Sequence, residues 1–590
     1  MADRLNRRNF LKSTGMSVTS LMFAGCNRVV AKSDDKSRIP RRHEKEFPVS
    51  AKYLILPIQN NGTEGNLKLH IDGKTVLDYD LVLATSPDKV DWYAFLAIER
   101  YKGKKARVVA SQATKEGFAL VKQSDTIPGE KEFYKERLRP RFHFTSKTGW
   151  LNDPNGLIYY KGKYHLYYQH NPVSLLWGNM TWGHAVSKDL VHWKEQPKVL
   201  FPDAQTGTCF SGAAFIDRKN QLGLKTGQED VLVAFYLRTE TGLCFAYSND
   251  RGQTFTDYKG NPVLTHEGAR IDTPKPFWHE PTKRWVAPTF DFFTNKDGKR
   301  LRCVGFYSSA NLTDWKYDSR VEQDKFGDEL CGCVDFFQLP IDGDPKNKKW
   351  VMIMIDGSYI VGTFDGHTFY ALLGKPAVTK DRVRTLVIQG HYYATMTWEN
   401  VPDDRRVQIA WMRNDEGQYP GMPFNQQMTF PSELTLHSTK DGPRLRMNPI
   451  EEIETLRTKT HEWNNIVLKE SVNPLSGLKG DLFDVEVQFE PSDGSETIFD
   501  IRGIKFVYNC ETQTLSSCGT PMKLKPINGV IRLRILLDRT SIEVYGNNGR
   551  RYLPLIAYPE EDNLSLIATC SKGQVKANYL RVHELKSIWE

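Results

Sequence analysis

The chain has 590 residues, more than one hydrophobic core usually contains, so two or three domains are expected. Its formal net charge is +9, but residues 1–46 carry eleven Lys or Arg against five Asp or Glu. The remaining +3 is too small for a nucleic-acid groove, and no apolar run reaches the length of a transmembrane helix. A neutral small molecule or polymer is the expected partner.

The first residues resemble an export signal. Residues 6–12 contain Arg-Arg followed by Asn-Phe-Leu-Lys, the order of a twin-arginine signal, and residues 13–25 are weakly apolar. Phe23-Ala24-Gly25-Cys26 resembles a lipoprotein cleavage box, although a smaller aliphatic residue is usual in place of Phe23. We therefore expect residues 1–26 to direct export to the periplasm, with Cys26 as a lipid anchor to the membrane. The polar residues 27–46 are predicted to form a linker.

The next segment and the end of the chain both have the pattern of β-sandwiches. Short runs of Val, Ile, Tyr and Phe, separated by Gly, Pro, Asn and Asp, predict an all-β fold. Asp72-Gly73 is a hairpin signal within residues 47–130, where a small sandwich is expected. Alternating runs and the turn 546–549 predict a C-terminal β-sandwich over residues 457–590.

A weak repeat divides the middle of the chain. Each unit has a strand end, a polar turn and an aromatic residue, and the first three units start 61 residues apart. The units are Ser187–Trp193, Ser248–Phe255, Ser309–Trp315 and Phe364–Phe369. Repeats of this length are typical of propeller blades, so we predict a five-bladed β-propeller over residues 137–450. The second unit also matches the aspartate-box turn of sialidases, which is structural and occurs on unrelated folds.

The cysteines do not predict a disulfide scaffold or a metal centre. Eight of them follow Cys26 and are sparsely spaced. Cys331 and Cys333 form a Cys-x-Cys pair that has no further ligands at a suitable spacing. No nucleotide-binding or cofactor fingerprint is present either, so neither a metal nor a cofactor is expected. The oligomeric state is not predicted.

The segment Trp150–Gly156 contains Asn-Asp-Pro-Asn-Gly, which has two interpretations. Asp, Pro, Asn and Gly in this order predict a β-turn. A turn at the mouth of a propeller channel can also hold a carboxylate rigidly, which makes Asp153 a candidate catalytic residue.

Together with other segments, this motif resembles glycoside hydrolase family 32, the invertase, levanase and inulinase family. The matching segments are 150–156, 164–172, 177–180, 182–187, 210–212, 421–427 and 538–541. The resemblance implies a retaining mechanism on β-fructofuranosyl bonds of a fructose-containing oligo- or polysaccharide. It makes Asp153 the nucleophile. It also implies a fructose pocket lined by Asn152, Gln169, Trp177, Phe210 and Ser211.

Two of the family's three acidic motifs are altered. Where the family has Arg-Asp-Pro, this chain has Asp272-Thr273-Pro274, so Thr273 stands in place of the acid that stabilises the transition state. Where the family has Glu-Cys-Pro-Asp, Gly332 replaces the acid/base glutamate. We consider two substitutes: a local bulge that puts Asp272 in the position of the missing aspartate, and Glu329 reaching in from the preceding loop as acid/base.

Three functions are compatible with these motifs. The first is an active β-fructosidase with an unusual acid, which hydrolyses fructans or sucrose-type sugars. The second is a non-catalytic fructan-binding propeller, which the loss of two acids together would favour. The third is a sialidase-like enzyme, but no motif supplies the Arg cluster and Tyr nucleophile that it needs. Only a measurement of turnover distinguishes the first two functions, because both predict sugar binding.

Overall fold

The computed structural model describes residues 42–203, 205–265, 272–322, 332–372, 384–387, 390–414, 417 and 419–589. Strands dominate, and the helical elements are short. They are α1 (Lys115–Ala119) and the 3₁₀ turns Pro87–Lys89, Glu99–Tyr101, Glu130–Glu132, Pro402–Asp404 and Glu451–Leu456. Within these ranges no helix is long and apolar enough to span a bilayer. The predicted export signal and Cys26 lie outside them.

The N-terminal part of the described chain is a small two-sheet domain. Its strands are β1 (Arg42–Pro48), β2 (Tyr53–Ile58), β3 (Gly65–Ile71), β4 (Lys74–Leu81), β5 (Trp92–Ala97), β6 (Lys105–Ser111) and β7 (Lys122–Ser124). They form sheets of order β1-β6-β3-β4 and β5-β2-β7 around a common apolar core. Asp72 and Gly73 both have positive φ, 49° and 82°, as a two-residue hairpin turn requires between β3 and β4.

Strand β1 corrects the predicted linker. Residues 42–46 belong to this strand, which pairs with β6 from Arg42 to Pro48. Its residues alternate between exposed and half-buried positions, with Arg42, Glu44 and Glu46 exposed at the edge of the sheet. Charged edge strands protect a sheet against further pairing, but their composition resembles that of a linker. The other predicted domain limits stay predictions.

The central part of the chain forms five blades. The first has β8 (Gly149–Tyr160), β9 (Lys163–Asn171), β10 (Thr181–Ser187) and β11 (Trp193–Leu200). The second has β12 (Cys209–Asp217), β13 (Val231–Arg238), β14 (Gly242–Ser248) and β15 (Thr256–Asp257). The third has β16 (Phe277–His279), β17 (Arg284–Thr294), β18 (Arg300–Ser309) and β19 (Lys316–Glu322). The fourth has β20 (Asp335–Ile341), β21 (Asp344–Ile353), β22 (Ser358–Phe364), β23 (Phe369–Ala371) and β24 (Arg384–Thr385).

The last blade returns the chain to the first one. It contains β25 (Tyr393–Thr397), β26 (Val407–Met412), β28 (Gln427–Met428), β29 (Ser432–His437) and β30 (Arg444–Pro449). A short strand, β27 (Phe424–Asn425), pairs in parallel with β8 of the first blade. Trp398 is fully buried at this closure, where its Nε1 donates to His165 O at 2.9 Å and its ring stacks on Trp193. The predicted five-bladed propeller is confirmed.

The sequence repeat corresponds to the turn between the third and fourth strands of the first four blades. In each turn one side-chain oxygen accepts hydrogen bonds from two backbone N–H groups further along, at 2.7–3.1 Å. The accepting residues are Asp189, Asp250, Asn311 and Asp365. The aspartate-box match in the second blade is therefore one of four equivalent turns and has a structural role.

The C-terminal part of the chain is a two-sheet sandwich. Its strands are β31 (Arg457–Lys469), β32 (Phe483–Glu490), β33 (Glu496–Ile501), β34 (Ile504–Asn509), β35 (Thr514–Ser517), β36 (Thr520–Lys523), β37 (Ile531–Asp538), β38 (Ser541–Gly546), β39 (Arg551–Ile556), β40 (Leu566–Lys572) and β41 (Gln574–Leu585). They form sheets of order β31-β41-β32-β37-β38-β39 and β36-β35-β34-β33-β40. The predicted C-terminal sandwich is confirmed.

A buried charged group joins the propeller to this sandwich. His143, which precedes β8, lies between Asp538 and Glu543 of the sandwich, with its ring nitrogens 2.8 and 3.2 Å from their carboxylates. All three side chains are fully buried. Backbone N–H groups of residues 141–143 also donate to Asp538. This arrangement fixes the start of the propeller against the sandwich.

Candidate active site

Asp153 lies in the first strand of the propeller and not in a β-turn. Residues 150–156 all belong to β8, whose pairing with β9 is interrupted at two points. Pro154 has no N–H to donate, and Gly156 has φ +53°, where an added Cβ would lie 2.8 Å from Tyr167. The sequence that suggested a turn therefore makes β8 bulge, and the turn prediction is wrong.

The Asp153 carboxylate is held by a donor on each oxygen. Ser211 Oγ in β12 donates to Oδ2 at 2.8 Å, and Asn152 Nδ2 donates to Oδ1 at 3.0 Å. Trp150 orients the asparagine, because its Nε1 donates to Asn152 Oδ1 at 2.9 Å. The thiol of Cys333 lies 3.8 Å from Asp153 Oδ2. Asn152 and Ser211 are thus brought to Asp153, as the motifs suggested.

Several effects act on the ionisation of Asp153. Burial is the largest, and it raises the pKa of this carboxyl above its ordinary range. The hydrogen bonds from Ser211 and Asn152 lower the pKa because they stabilise the carboxylate, whereas the negative charge of Asp272 raises it. Asp272 is therefore close enough to Asp153 for the two charges to interact.

A one-residue bulge determines where Asp272 lies. Phe277 pairs with Val286, and a regular ladder from this pair would put Thr273 opposite Phe290. Instead Asp272 occupies that place, with hydrogen bonds of 2.9 and 3.0 Å between the backbones of Asp272 and Phe290. Thr273 is the extra residue, and its φ is +49°, a strained value for a β-branched side chain.

The bulge brings a group of polar side chains together beside Asp153. Asp272 is half-buried, and its Oδ1 accepts from Thr273 N at 2.9 Å and from Thr273 Oγ1 at 3.3 Å. Thr273 is buried, and its hydroxyl lies 3.5 Å from the Cys333 sulfur. Cys333 was considered in the sequence only as half of a Cys-x-Cys pair. Its place in the altered acid motif was the signal that it belongs to this site.

Gly332 stands where the family motif has its acid/base glutamate, and glycine has no side chain that could donate a proton. A Cβ added there would lie 3.7 Å from the Phe290 ring and 4.0 Å from Ile355, which are ordinary contacts. Gly332 O accepts from Ile355 N at 3.0 Å, so the segment is held against the fourth blade. Glu329 lies outside the described residues.

The two altered segments are linked by a buried ion pair. Lys275 Nζ lies 2.5 Å from Asp335 Oδ2 and 3.3 Å from Glu399 Oε1, and it also donates to both oxygens of Thr397. Lys275 and Asp335 follow Thr273 and Gly332 by two and three residues. Buried charges therefore hold the two altered motifs together just beyond the positions of the replaced acids. No local sequence pattern pointed to this pair.

The remaining predicted pocket residues are Trp177, Phe210 and Gln169. Trp177 and Phe210 are half-buried, and their rings meet edge to face at a centroid distance of 6.0 Å. Phe210 directly precedes Ser211. Gln169 is buried, and its Oε1 has no hydrogen-bond partner in the described parts of the chain. Its Nε2 lies 3.0 Å from the Asn155 amide, two residues after Asp153.

One cluster in the C-terminal sandwich has the composition of a metal site. Ligand atoms of Asp484, Glu486 and His583 lie within 4.8 Å of one another. Arg457 Nη2 lies 2.7 Å from Asp484 and 3.0 Å from Glu486, and Arg534 Nη2 lies 2.8 Å from Asp484. The guanidinium groups already balance the carboxylates, so this cluster does not favour a metal.

Comparison with known proteins identifies the family. The family description "Glycosyl hydrolases family 32 N-terminal domain" matches residues 143–449, and "Glycosyl hydrolases family 32 C terminal" matches residues 452–584. The levanase of Bacillus subtilis (strain 168) is 37% identical over 503 residues, which cover 78% of this chain and 72% of the levanase. The extracellular exo-inulinase inuE of Aspergillus ficuum is 26% identical over 525 residues, 77% of this chain and 96% of the exo-inulinase.

The fold agrees with solved structures. The crystal structure of exo-inulinase from Aspergillus awamori superposes with a TM-score of 0.67 at 24% identity, covering 77% of this chain and all of that one. Residues 42–142, which include the small N-terminal domain, lie outside both family matches. The matched ranges contain the propeller with Asp153 and the C-terminal sandwich, and together they cover most of the sequence. The chain belongs to glycosyl hydrolases family 32.

Proposed function

We propose that this chain hydrolyses β-fructofuranosyl bonds in fructans or sucrose-type sugars, with Asp153 as the nucleophile. The observation that carries the proposal is the Asp153 carboxylate, held by Ser211 and Asn152 in the first two blades of a family 32 propeller. Relatives of this chain are named levanase and exo-inulinase, which supports fructans as the substrate class.

The proposed reaction proceeds with retention of configuration. Asp153 attacks the anomeric carbon, the bond to the leaving oxygen breaks, and water then hydrolyses the fructosyl ester of Asp153. Hydrogen bonds from Ser211 and Asn152 keep the carboxylate in one orientation, so little ordering is required during the attack. Trp177 and Phe210 form an apolar wall, and Gln169 supplies a buried amide oxygen for a sugar hydroxyl.

We assign the second carboxylate of the site to Asp272. The bulge at Thr273 gives Asp272 the ladder position opposite Phe290, and its charge raises the pKa of Asp153. Both observations support a carboxylate beside the nucleophile, where it would accept hydrogen bonds from fructose hydroxyls and stabilise positive charge in the transition state.

Gly332 carries no acid, so another residue has to protonate the leaving oxygen. Glu329, three residues earlier in the chain, is the proposed donor to the leaving oxygen. Glu329→Gln would then slow the release of sugars with poor leaving groups by about 10²–10⁴. Unchanged turnover in this variant would contradict the role of Glu329.

The deciding experiment measures fructose release from levan, inulin and sucrose. The chain lacking residues 1–26 is compared with Asp153→Asn and with Asp562→Asn, which changes an exposed aspartate of the C-terminal sandwich. We expect release by the parent chain and by Asp562→Asn, and none by Asp153→Asn. Absence of release by the parent chain, with fructan binding retained, would contradict hydrolysis.

We also propose that the protein is exported by the twin-arginine route and anchored through lipidated Cys26. The support is the order of residues in segments 6–12 and 23–26. Cys26→Ser is expected to move the protein from the membrane fraction to the soluble periplasmic fraction. Replacement of Arg7 and Arg8 by Lys is expected to keep it in the cytoplasm. The same fractionation for all variants would contradict this assignment.

A further inference from the structure

The small N-terminal domain contacts the loop that carries Trp177. This loop, residues 172–180, joins β9 to β10 in the first blade. Val173 and Leu175 are buried in the same apolar cluster as the core of the N-terminal domain, including Leu67 and Tyr79. The loop therefore completes the hydrophobic core of a domain that lies outside the family 32 matches.

Asn179 adds a polar connection at the other end of the loop. Its Oδ1 accepts from Asp80 N at 2.9 Å, and its Nδ2 donates to Asp80 O at 2.7 Å. The same Nδ2 donates to Asn171 Oδ1 at 3.2 Å, so one amide joins β4 of the N-terminal domain to β9 of the propeller. Asn179 is buried and has φ +47°, which asparagine tolerates better than most residues.

The propeller holds the middle of the loop. Asn171 Nδ2 donates to Leu176 O at 2.9 Å, and Asn425 Nδ2 donates to Leu175 O at 2.8 Å. Trp177 follows directly and packs edge to face against Phe210, the neighbour of Ser211. The loop is thus fixed from both sides, and the aromatic side chain at its centre packs against Phe210, which the proposed function places in the fructose pocket.

We propose that the N-terminal domain positions Trp177 in the pocket and that Asn179 is the positioning residue for this contact. The proposal rests on the proposed function, because that function makes Trp177 a wall of the fructose site. Val173 and Leu175 fix the start of the loop in the core of the N-terminal domain, and Asn179 fixes its end, where the chain enters β10. The domain thereby tunes the affinity for the terminal fructosyl group without touching it.

The test compares Asn179→Gly with Asn220→Gly. Glycine keeps the left-handed backbone at position 179 and removes the three side-chain hydrogen bonds. Asn220 offers a matched control, since it has φ +51° and its Oδ1 accepts a hydrogen bond from Lys225 N, but it lies in an exposed turn after β12. We expect Asn179→Gly to raise KM for levan about tenfold with kcat nearly unchanged, and Asn220→Gly to change neither.

A double-mutant cycle shows whether Asn179 acts through Trp177. In a Trp177→Ala background, Asn179→Gly should have no further effect on KM, because the positioned ring is absent. Additive effects of the two substitutions would overturn the proposal. Tyr79→Phe provides a milder variant that removes only the 3.3 Å contact with Thr181 Oγ1 across the same junction, and it should raise KM less.

Amide hydrogen exchange separates this proposal from the proposed function. Exchange in residues 172–180 should be faster in Asn179→Gly than in the parent chain, whether or not the chain hydrolyses fructans. Unchanged exchange would overturn the positioning role. If the parent chain shows no turnover, the proposed function fails. The double-mutant cycle of Asn179→Gly and Trp177→Ala is then measured from the Kd for levan, and Asn179→Gly is expected to raise this Kd about tenfold.

Discussion

Asp153 has to be ionised to attack a sugar, but its burial opposes ionisation. The donors Ser211 and Asn152 offset part of this effect, and the nearby charge of Asp272 adds to it. Since the pKa of Asp153 is raised, the ionised fraction falls at a higher pH than for an exposed aspartate. The acidic limb of kcat/KM should therefore lie above the ordinary aspartate pKa.

Ser211→Ala tests this balance. Loss of the hydrogen bond to Asp153 Oδ2 should raise the pKa of Asp153 further and move the acidic limb to higher pH. At neutral pH, kcat/KM should fall by about tenfold or more, the effect of one hydrogen bond to a charged group. The measurement is fructose release from sucrose over a series of pH values. Ser492→Ala in the C-terminal sandwich serves as control, and an unshifted limb in Ser211→Ala would contradict the assignment.

Gly332 allows a gain-of-function test at a single residue. The space around its Cβ position is open to a side chain, with the closest atom 3.7 Å away in Phe290. In a Glu329→Gln background, which lacks the proposed donor, Gly332→Glu should supply a carboxylic acid at the altered motif and raise kcat by up to about 10²–10⁴ on substrates with poor leaving groups. Gly332→Gln has nearly the same size and no acidic proton, so it should give no increase. Equal rates for the two variants would show that a glutamate here does not act as an acid.

At the scale of elements, the bulge between Asp272 and Phe277 decides which residue lies opposite Phe290. The extra residue, Thr273, takes a left-handed conformation, and Asp272 moves into its ladder position. A β-branched residue with positive φ costs about 1–3 kcal/mol of strain. Such strain persists only when the surrounding structure enforces it. Here the buried Lys275–Asp335 pair holds the strand two residues further on.

Asp272→Asn is expected to have two separate effects. Without the charge that stabilises the transition state, kcat/KM should fall by about 10² or more. Without that negative charge the pKa of Asp153 should also decrease, so the acidic limb should move to lower pH, opposite to Ser211→Ala. A pH–rate profile measures both effects, with Asp562→Asn as control. A lower rate with an unmoved limb would indicate a structural role for Asp272 only.

The elements that the sequence predicted well are those with strong local signals. The blade turns could be located because each needs one side-chain acceptor at a fixed place, as at Asp189 and Asp250. β1 was missed because its inward side, His43, Lys45 and Phe47, has a single apolar residue and the rest of the strand is polar or charged. The bulge in β8 was taken for a turn because Pro and Gly favour both. The contact between Cys333 and Asp153 joins residues 180 positions apart, and no local pattern reports such a distance.

At the scale of the whole molecule, the active site depends on three domains that meet around the first blade. The N-terminal domain contacts the loop of Trp177, and the C-terminal sandwich contacts the segment before β8 through His143. β8 itself carries Asp153 and pairs with β27 where the propeller closes. Contacts from both neighbouring domains therefore act on the blade whose first strand carries Asp153.

The junction at His143 gives the molecule a pH-dependent stability. Burial alone would lower the pKa of His143, but hydrogen bonds to Asp538 and Glu543 raise it to about 9. Because the folded pKa lies above the unfolded value of about 6.5, the protonated ring stabilises the fold fully below that unfolded value. This stabilisation, of the order of 3 kcal/mol, is lost as the pH rises through about 9.

Urea unfolding at pH values between about 6.5 and 9 should show this decrease in stability for the parent chain and a flatter pH profile for His143→Gln. The same slope in His143→Gln would mean that the junction holds a neutral imidazole and that other groups carry the pH dependence.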